Sequence, residues 1–209
     1  MIDFYSLNNH SATGRIYLSK LERLLNPQER ILWSGRPEKK AFVLPVTAAI
    51  PFGLIFLSFA IFWMWGAASA GAPDFFTLFG LPFVLVGFAI TIGPLLWQIL
   101  RYRNTEYMIT DKRIITQTGA IGLDTRFVDF DKIQEVYVKI GIIDRLFGTG
   151  NLYAMTAGYS GFGPATSPYG YGFGGGYGFR PSLAALKEPY QVQKLLQEAI
   201  ERSKAAAQI

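Results

Sequence analysis

Few residues of this 209-residue sequence could carry out chemistry at a protein site. The single histidine, His10, lies in a polar stretch and there is no cysteine, so neither a histidine-based triad nor a thiolate metal site can be built. Asp129 and Asp131 have i, i+2 spacing, but a hard cation needs more oxygen ligands than two such carboxylates offer. The Gly-rich segment at residues 157–180 does not contain the Gly-x-x-x-x-Gly-Lys motif of a phosphate-binding loop. We therefore predict no catalytic residue, no metal and no cofactor in a protein that is not an enzyme.

Five cations in the second half of the chain could contact anionic lipid headgroups, each contributing about 1 kcal/mol near a membrane surface. The alternative is a mixed surface, because acidic residues are interleaved with them: residues 101–209 contain 13 basic and 10 acidic side chains. We favour the mixed surface over specific headgroup recognition, and expect generic attraction to the membrane. The five cations are Lys112, Arg113, Arg126, Lys132 and Lys139.

A Gly-rich and aromatic segment covers residues 157–180, where Gly158 to Phe179 holds nine glycines and seven aromatic residues without a charge. Glycine denies such a segment a fixed backbone, and tyrosine and phenylalanine supply adhesive surface. We predict a loop between two strands that contacts the membrane interface or a protein partner; the alternative is a solvent-filled loop without a role. The predicted contact residues are Tyr169, Tyr171, Phe173, Tyr177 and Phe179.

Two uncharged runs, Ala41 to Pro73 and Phe75 to Leu100, are separated only by Asp74. Each is longer than the ~20 apolar residues that span a bilayer. Buried helices of a soluble core are usually shorter and carry a polar face, so we consider that alternative weak. The sequence predicts a transmembrane hairpin over residues 41–100, with helices at about 41–66 and 75–100.

Lysine and arginine residues precede the first run and follow the second, whereas the loop between the runs has neither. The positive-inside rule therefore places both termini in the cytoplasm of a multi-pass protein of a prokaryotic cell membrane. Residues 1–40 form a cytoplasmic tail, in which a capping pattern at Ser19 to Glu22 predicts a short amphipathic helix that packs on the domain or on the membrane. The chain has a net charge of +5, and its basic residues are concentrated next to the predicted membrane spans. We therefore predict that they interact with anionic lipid rather than with nucleic acid.

Beyond the hairpin, the hydrophobic period changes from that of a helix to that of strands. Residues 105–118 predict a tight hairpin around Asp111-Lys112, and three further strand patterns follow up to Thr156. The segment from Pro189 predicts a helix with one apolar stripe, formed by Val192, Leu195, Leu196, Ala199 and Ile200. The predicted fold class is therefore α+β: a transmembrane hairpin, then a small antiparallel sheet or barrel over residues 101–209, capped by the C-terminal helix.

Four short motifs flank or follow the hairpin. Residues 27–37 (Pro-Gln-Glu-Arg-Ile-Leu-Trp-Ser-Gly-Arg-Pro) precede it and residues 107–115 (Tyr-Met-Ile-Thr-Asp-Lys-Arg-Ile-Ile) follow it; Asp-Lys-Ile-Gln-Glu-Val at 131–136 and Phe-Gly-Thr-Gly-Asn-Leu at 147–152 come later. In this order, they resemble the membrane-anchored bacterial pleckstrin-homology-like proteins with paired transmembrane helices. The resemblance covers roughly residues 27–205 and implies a partly open β-barrel plugged by the C-terminal helix. The Gly-rich segment departs from the family's pattern.

Such folds are mostly interaction modules, and the resemblance implies no catalytic mechanism. The expected function is a membrane-anchored scaffold at the cytoplasmic face that binds other membrane proteins or self-associates, without a small-molecule substrate. The alternative is an accessory subunit of a transport or envelope-stress system whose transmembrane hairpin is the functional part.

Overall fold

The computed structural model describes residues 21–156 and 183–206, and it combines long helices with two antiparallel sheets, which confirms the α+β class. Helix α1 (Lys39–Val43) and a 3-10 segment (Leu44–Ala49) lead into α2 (Ile50–Ser69), and the short helix α3 (Asp74–Phe79) connects α2 to α4 (Leu81–Arg103). We call α2 to α4 the helical hairpin, because α2 and α4 pack against each other.

The helical hairpin presents its apolar side chains outward. The stretches Lys39–Ser69 and Asp74–Arg103 are each long and apolar enough to cross a membrane, and only 17% and 12% of their most apolar parts are buried. Large side chains such as Phe52, Phe62 and Leu85 are each more than 60% exposed. A core helix of a soluble protein would bury such residues.

Two glycines bring α2 and α4 together. A Cβ atom at Gly53 would lie 2.9 Å from the Cα of Thr91, and one at Gly87 would lie 3.1 Å from the Cα of Leu57. The Thr91 hydroxyl donates a 2.7 Å hydrogen bond to the Gly87 carbonyl within α4. The missing side chains therefore permit the two helices to approach each other closely.

The first sheet has the order β1-β2-β3-β4, with antiparallel neighbours throughout. The expected tight turn at Asp111 and Lys112 is confirmed, since it joins β2 to β3. The strands are β1 (Ile31–Gly35), β2 (Glu106–Thr110), β3 (Arg113–Thr118) and β4 (Asp124–Asp129).

The second sheet has the order β5-β6-β7, also antiparallel. A 3-10 turn (Phe130–Lys132) connects the two sheets, and the elements that follow are β5 (Ile133–Lys139), α5 (Ile142–Phe147), β6 (Thr149–Thr156), β7 (Leu183–Lys187) and α6 (Pro189–Ala206). Val192, Leu196 and Ile200 of α6 are buried in one core with Ile109 of the first sheet and Leu152 of the second. The apolar stripe expected for the C-terminal helix is thus confirmed.

The segment before the helical hairpin supplies strand β1, which sequence analysis did not predict. Gly35 of β1 pairs with Tyr107 of β2, so the helical hairpin is inserted between two neighbouring strands of the first sheet. Leu21, from the expected amphipathic helix, is buried against Met108 and Ile115. Leu25 packs on the same cluster, so these two described leucines contact the domain.

Candidate functional site

The helical hairpin and the sheets meet at a set of residues that we call the hairpin base: Phe42, Gln98, Arg101, Tyr102 and Asn104. Phe42 is buried with Ala184 and Ala185 of β7, and its ring lies 6.2 Å from that of Tyr102. Phe147 of α5 packs on the same cluster. Because residues 184 and 185 are alanines, β7 leaves room for the Phe42 ring. Elements that precede and follow the helical hairpin in sequence therefore pack around this ring.

Polar side chains of the hairpin base bind the domain. The fully buried Gln98 donates a 2.7 Å hydrogen bond to the Phe42 carbonyl and so connects α4 to α1. Arg101 Nε donates to the Thr118 hydroxyl at 3.1 Å, and the Asn104 amide donates to the Ala120 carbonyl at 3.3 Å. The β3–β4 turn, residues 119–123, is therefore held beside the end of α4.

Two ion pairs and a buried hydroxyl surround the hairpin base. Arg36 pairs with Glu106, and Lys187 pairs with Glu38 at 3.0 Å. The Tyr107 hydroxyl accepts a 3.1 Å hydrogen bond from the Ala184 backbone N–H. Burial raises the pKa of Tyr107 well above its usual value, against the smaller opposing effects of that N–H and of Arg101. The hydroxyl stays protonated at neutral pH, so it positions β7 rather than acting as a base.

A buried carboxylate fixes α5 at this end of the second sheet. Asp144 accepts hydrogen bonds from the Gly141 backbone N–H at 3.0 Å, the Thr149 hydroxyl at 3.1 Å and the Asn151 amide at 2.7 Å. The Asn151 oxygen in turn accepts the Ala185 N–H at 3.0 Å, where the β6–β7 register is irregular. The motif at residues 147–152 therefore supplies two of the three partners of the Asp144 carboxylate, Thr149 and Asn151.

A second polar network lies at the opposite end of the first sheet and involves Arg113, which the sequence suggested as a headgroup contact. Arg113 Nε and Nη2 donate to Glu29 Oε1 and Oε2 at 2.9 and 2.8 Å, and the Glu29 side chain is fully buried. Thr110 also donates to Glu29 at 2.7 Å, and the Asp111 carboxylate accepts the Arg30 N–H at 3.0 Å. Arg113 is thus a structural residue, and two motifs about eighty residues apart in sequence meet here.

The other four suggested cations do not form one basic face. Because β2 begins next to the hairpin base, the β2–β3 turn with the exposed Lys112 lies at the far end of the sheet. Lys132 lies near that end and pairs with Asp129 at 2.8 Å, while Arg126 pairs with Asp124 at 3.0 Å. Lys139 alone ends a strand on the side of the hairpin base, opposite Asn151. These positions are those of a mixed surface, with cations paired to interleaved carboxylates, rather than of one basic face.

The aromatic residues suggested as a contact loop, Tyr169, Tyr171, Phe173, Tyr177 and Phe179, lie outside the described residues. Within the described ranges, no group of three or more His, Asp or Glu side chains is arranged to hold a metal. Sequence reasoning did not identify the hairpin base as a site. Its residues carry no recognisable motif, since their partners lie in strands distant in sequence.

Comparison with known proteins identifies one family. A family model described as "Bacterial PH domain" matches residues 41–200, which include the helical hairpin and all strands from β2 to β7. No curated protein and no solved structure matches the chain.

Proposed function

The chain belongs to the bacterial PH domain family, and on that premise we propose that it is a membrane-anchored, non-enzymatic interaction module held at the cytoplasmic face of a prokaryotic membrane. The observation that carries this proposal is the insertion of an outwardly apolar helical hairpin between β1 and β2. An anchor at a chain end would leave the domain free to move. This anchor continues directly into two paired strands, and the hairpin base binds the β3–β4 turn and β7. The domain would therefore be held close to the bilayer in a fixed orientation.

The orientation of the anchor supports the cytoplasmic placement of the domain. Exposed Lys39 and Lys40 begin α1, and exposed Arg103 ends α4, whereas the connection between α2 and α4 contains no lysine or arginine. The positive-inside rule then puts the domain on the cytoplasmic side and α3 on the outer side.

Labelling of single cysteines tests this topology, because the chain has no native cysteine. Ser69→Cys lies at the end of α2 and Ala205→Cys near the end of α6, and both positions are exposed. An impermeant maleimide should label Ser69→Cys in intact cells or spheroplasts and should label Ala205→Cys only after lysis. Equal labelling of both variants before lysis would overturn the proposed topology.

The segment that joins β6 to β7 is our proposed partner-binding element. β6 starts near Glu38 and the hairpin base, because Thr149 pairs with Lys187, and it ends at Thr156 on the opposite side of the sheet. The described end of β6 therefore lies on the side away from the anchor, which favours another membrane protein or a second copy over lipid as the partner of the segment. Tyrosine and phenylalanine suit such contacts because they bury much area at low cost in side-chain entropy.

Serine at Tyr169, Tyr171, Phe173, Tyr177 and Phe179 should weaken the cross-linking of the full chain to itself or to neighbouring membrane proteins. The same variant should keep normal membrane insertion, because the strands and α6 lie outside the replaced positions. The matched control replaces the helical hairpin by an unrelated transmembrane hairpin and keeps the residues of the hairpin base. This variant should leave cross-linking intact. Loss of cross-linking with the exchange, and not with the serine variant, would favour the accessory-subunit alternative.

A further inference from the structure

Three aliphatic side chains of the domain are more exposed than any large apolar residue of the helical hairpin. Among the described residues, Ile142 is 92%, Ile121 84% and Leu146 74% exposed. Ile142 and Leu146 are four residues apart on α5 and so share a face, and Leu123 lies beside Ile121 in the β3–β4 turn. They form two small apolar prominences, whose meaning depends on where they lie relative to the helical hairpin.

Both prominences flank the hairpin base. The β3–β4 turn is bound through the Asn104 amide, which donates to the Ala120 carbonyl, next to Ile121. Helix α5 packs beside α1, with Phe147 in the cluster of Phe42. The prominences therefore lie at the end of the domain from which the helical hairpin departs.

Exposed cations accompany the prominences at this end of the domain. Arg145 lies on α5 between Ile142 and Leu146, and its side chain is exposed. The only carboxylate of α5, Asp144, is buried and bonded to Thr149 and Asn151. Exposed Asp124, which follows Leu123, is paired with Arg126, and Glu188 is the other exposed carboxylate close to this end. Apolar side chains accompanied by an excess of cations are typical of segments that bind anionic bilayers. The other exposed cations at this end are Lys39, Lys40, Arg103, Lys139 and Lys187, the last of which is paired with Glu38.

From these observations we propose that the domain is seated on the inner leaflet, with the prominences at Ile121–Leu123 and Ile142–Leu146 inserted among the lipid headgroups on either side of the anchor. This inference rests on the proposed function, since it requires the helical hairpin to cross the bilayer. The occupant of the surface is lipid, because both prominences border the segments that enter the membrane. The cations suggested by the sequence at the far end of the sheet take no part in this contact.

Single cysteines labelled with an environment-sensitive fluorophore test the proposal in the full chain. The chain is reconstituted in bilayer discs of phosphatidylethanolamine and phosphatidylglycerol, either plain or with brominated acyl chains. Ile121→Cys, Ile142→Cys and Leu146→Cys report on the prominences. Gln134→Cys, exposed near the far end of β5, is the matched control, and Phe59→Cys on the outer surface of α2 reports on the anchor.

We expect fluorophores at 121, 142 and 146 to be quenched by brominated lipid and to show several-fold weaker quenching by aqueous iodide than the fluorophore at 134. If iodide quenches the fluorophores at 142 and 146 as strongly as the one at 134, while brominated lipid quenches the one at 59, the domain does not rest on the lipid. The transmembrane anchor would then still be supported. Shielding of 142 and 146 from both quenchers would also overturn the proposed seating, because the cover would then be protein. Absence of lipid quenching at 59 would overturn the proposed function and this inference with it.

Discussion

Replacement of Glu29 by alanine should lower the free energy of unfolding of the domain by about 3–5 kcal/mol, because it leaves the guanidinium of Arg113 unpaired in a largely buried position. Glu29 accepts two hydrogen bonds from Arg113, one from Thr110 and one from the Asn26 backbone N–H, all between 2.7 and 2.9 Å. This single carboxylate therefore connects the segment before β1 to the β2–β3 turn. Urea denaturation of the full chain in mild detergent, followed by pulse proteolysis, would measure the loss.

Two further variants separate the cost of an unpaired charge from general damage. Glu198→Ala removes an exposed helix-surface pair with Arg202 at 3.8 Å and should cost about 0.3–0.5 kcal/mol. Glu29→Met combined with Arg113→Leu replaces both buried charges by apolar groups and should be less destabilising than Glu29→Ala alone. A double variant as unstable as the sum of its single changes would contradict this account.

The same carboxylate should make stability depend on acid pH. Burial alone would raise the pKa of Glu29, but the hydrogen bonds from Arg113, Asn26 and Thr110 outweigh it, and the pKa is lowered from its ordinary value of 4.5. A lowered pKa in the folded state means that the stabilisation is complete above pH 4.5 and is lost as the pH falls through the folded-state pKa. Glu29→Gln should remove this part of the pH dependence.

Local patterns in the sequence predicted the elements whose residues are neighbours in the chain. The Asp111-Lys112 turn and the apolar stripe of α6 are of this kind, and the structure contains both. Strand β1 was missed because its partner, β2, lies beyond the entire helical hairpin. The Glu29–Arg113 pair was missed for the same reason, so Arg113 was counted among the possible lipid contacts although it is bound within the domain.

Strand β7 shows a second limit, in which packing overrides the intrinsic preference of the residues. Its sequence, Leu-Ala-Ala-Leu-Lys at 183–187, consists of residues that favour helices. Leu183 and Leu186 enter the core, and the two alanines face Phe42, so the small side chains are needed for contact with the hairpin base. Ala185 also adopts φ +50°, which alanine rarely does, and it is held there by Asn151 and by the Glu38 N–H on its carbonyl.

The solvent exposure of individual side chains could not be predicted from the sequence either. Helix α5 comprises Ile142–Phe147, and its sequence pattern does not show which of these side chains face outward. Asp144 resembles a surface carboxylate by type, yet it is 2% exposed, whereas Ile142 in the same helix is 92% exposed. Asp144 is buried because β6 supplies hydrogen-bond partners for its carboxylate. The exposed Ile142 makes α5 a candidate for contact with lipid.

Asp144→Ala should therefore destabilise the domain and, above all, release α5. The buried Asn151 amide would lose its acceptor, which costs about 1–3 kcal/mol, and the Thr149 hydroxyl would keep only its longer 3.4 Å bond to the backbone carbonyl of residue 144. Asp144→Asn keeps the shape and one acceptor oxygen, so its loss should be smaller. Asp124→Ala, which removes only an exposed pair with Arg126, is the control and should cost at most about 1 kcal/mol.

Hydrogen exchange of the full chain in bilayer discs distinguishes a local release from global unfolding. In Asp144→Ala, the amides of α5 and of the start of β6 should exchange faster than in the parent chain, because their opening no longer breaks the carboxylate network. The amides of α6 should change less, since Val192, Leu196 and Ile200 keep their core contacts. If α5 is also the element that rests on lipid, iodide quenching at Leu146→Cys should rise when Asp144→Ala is added. Unchanged exchange in α5 would show that the network does not hold the helix in place.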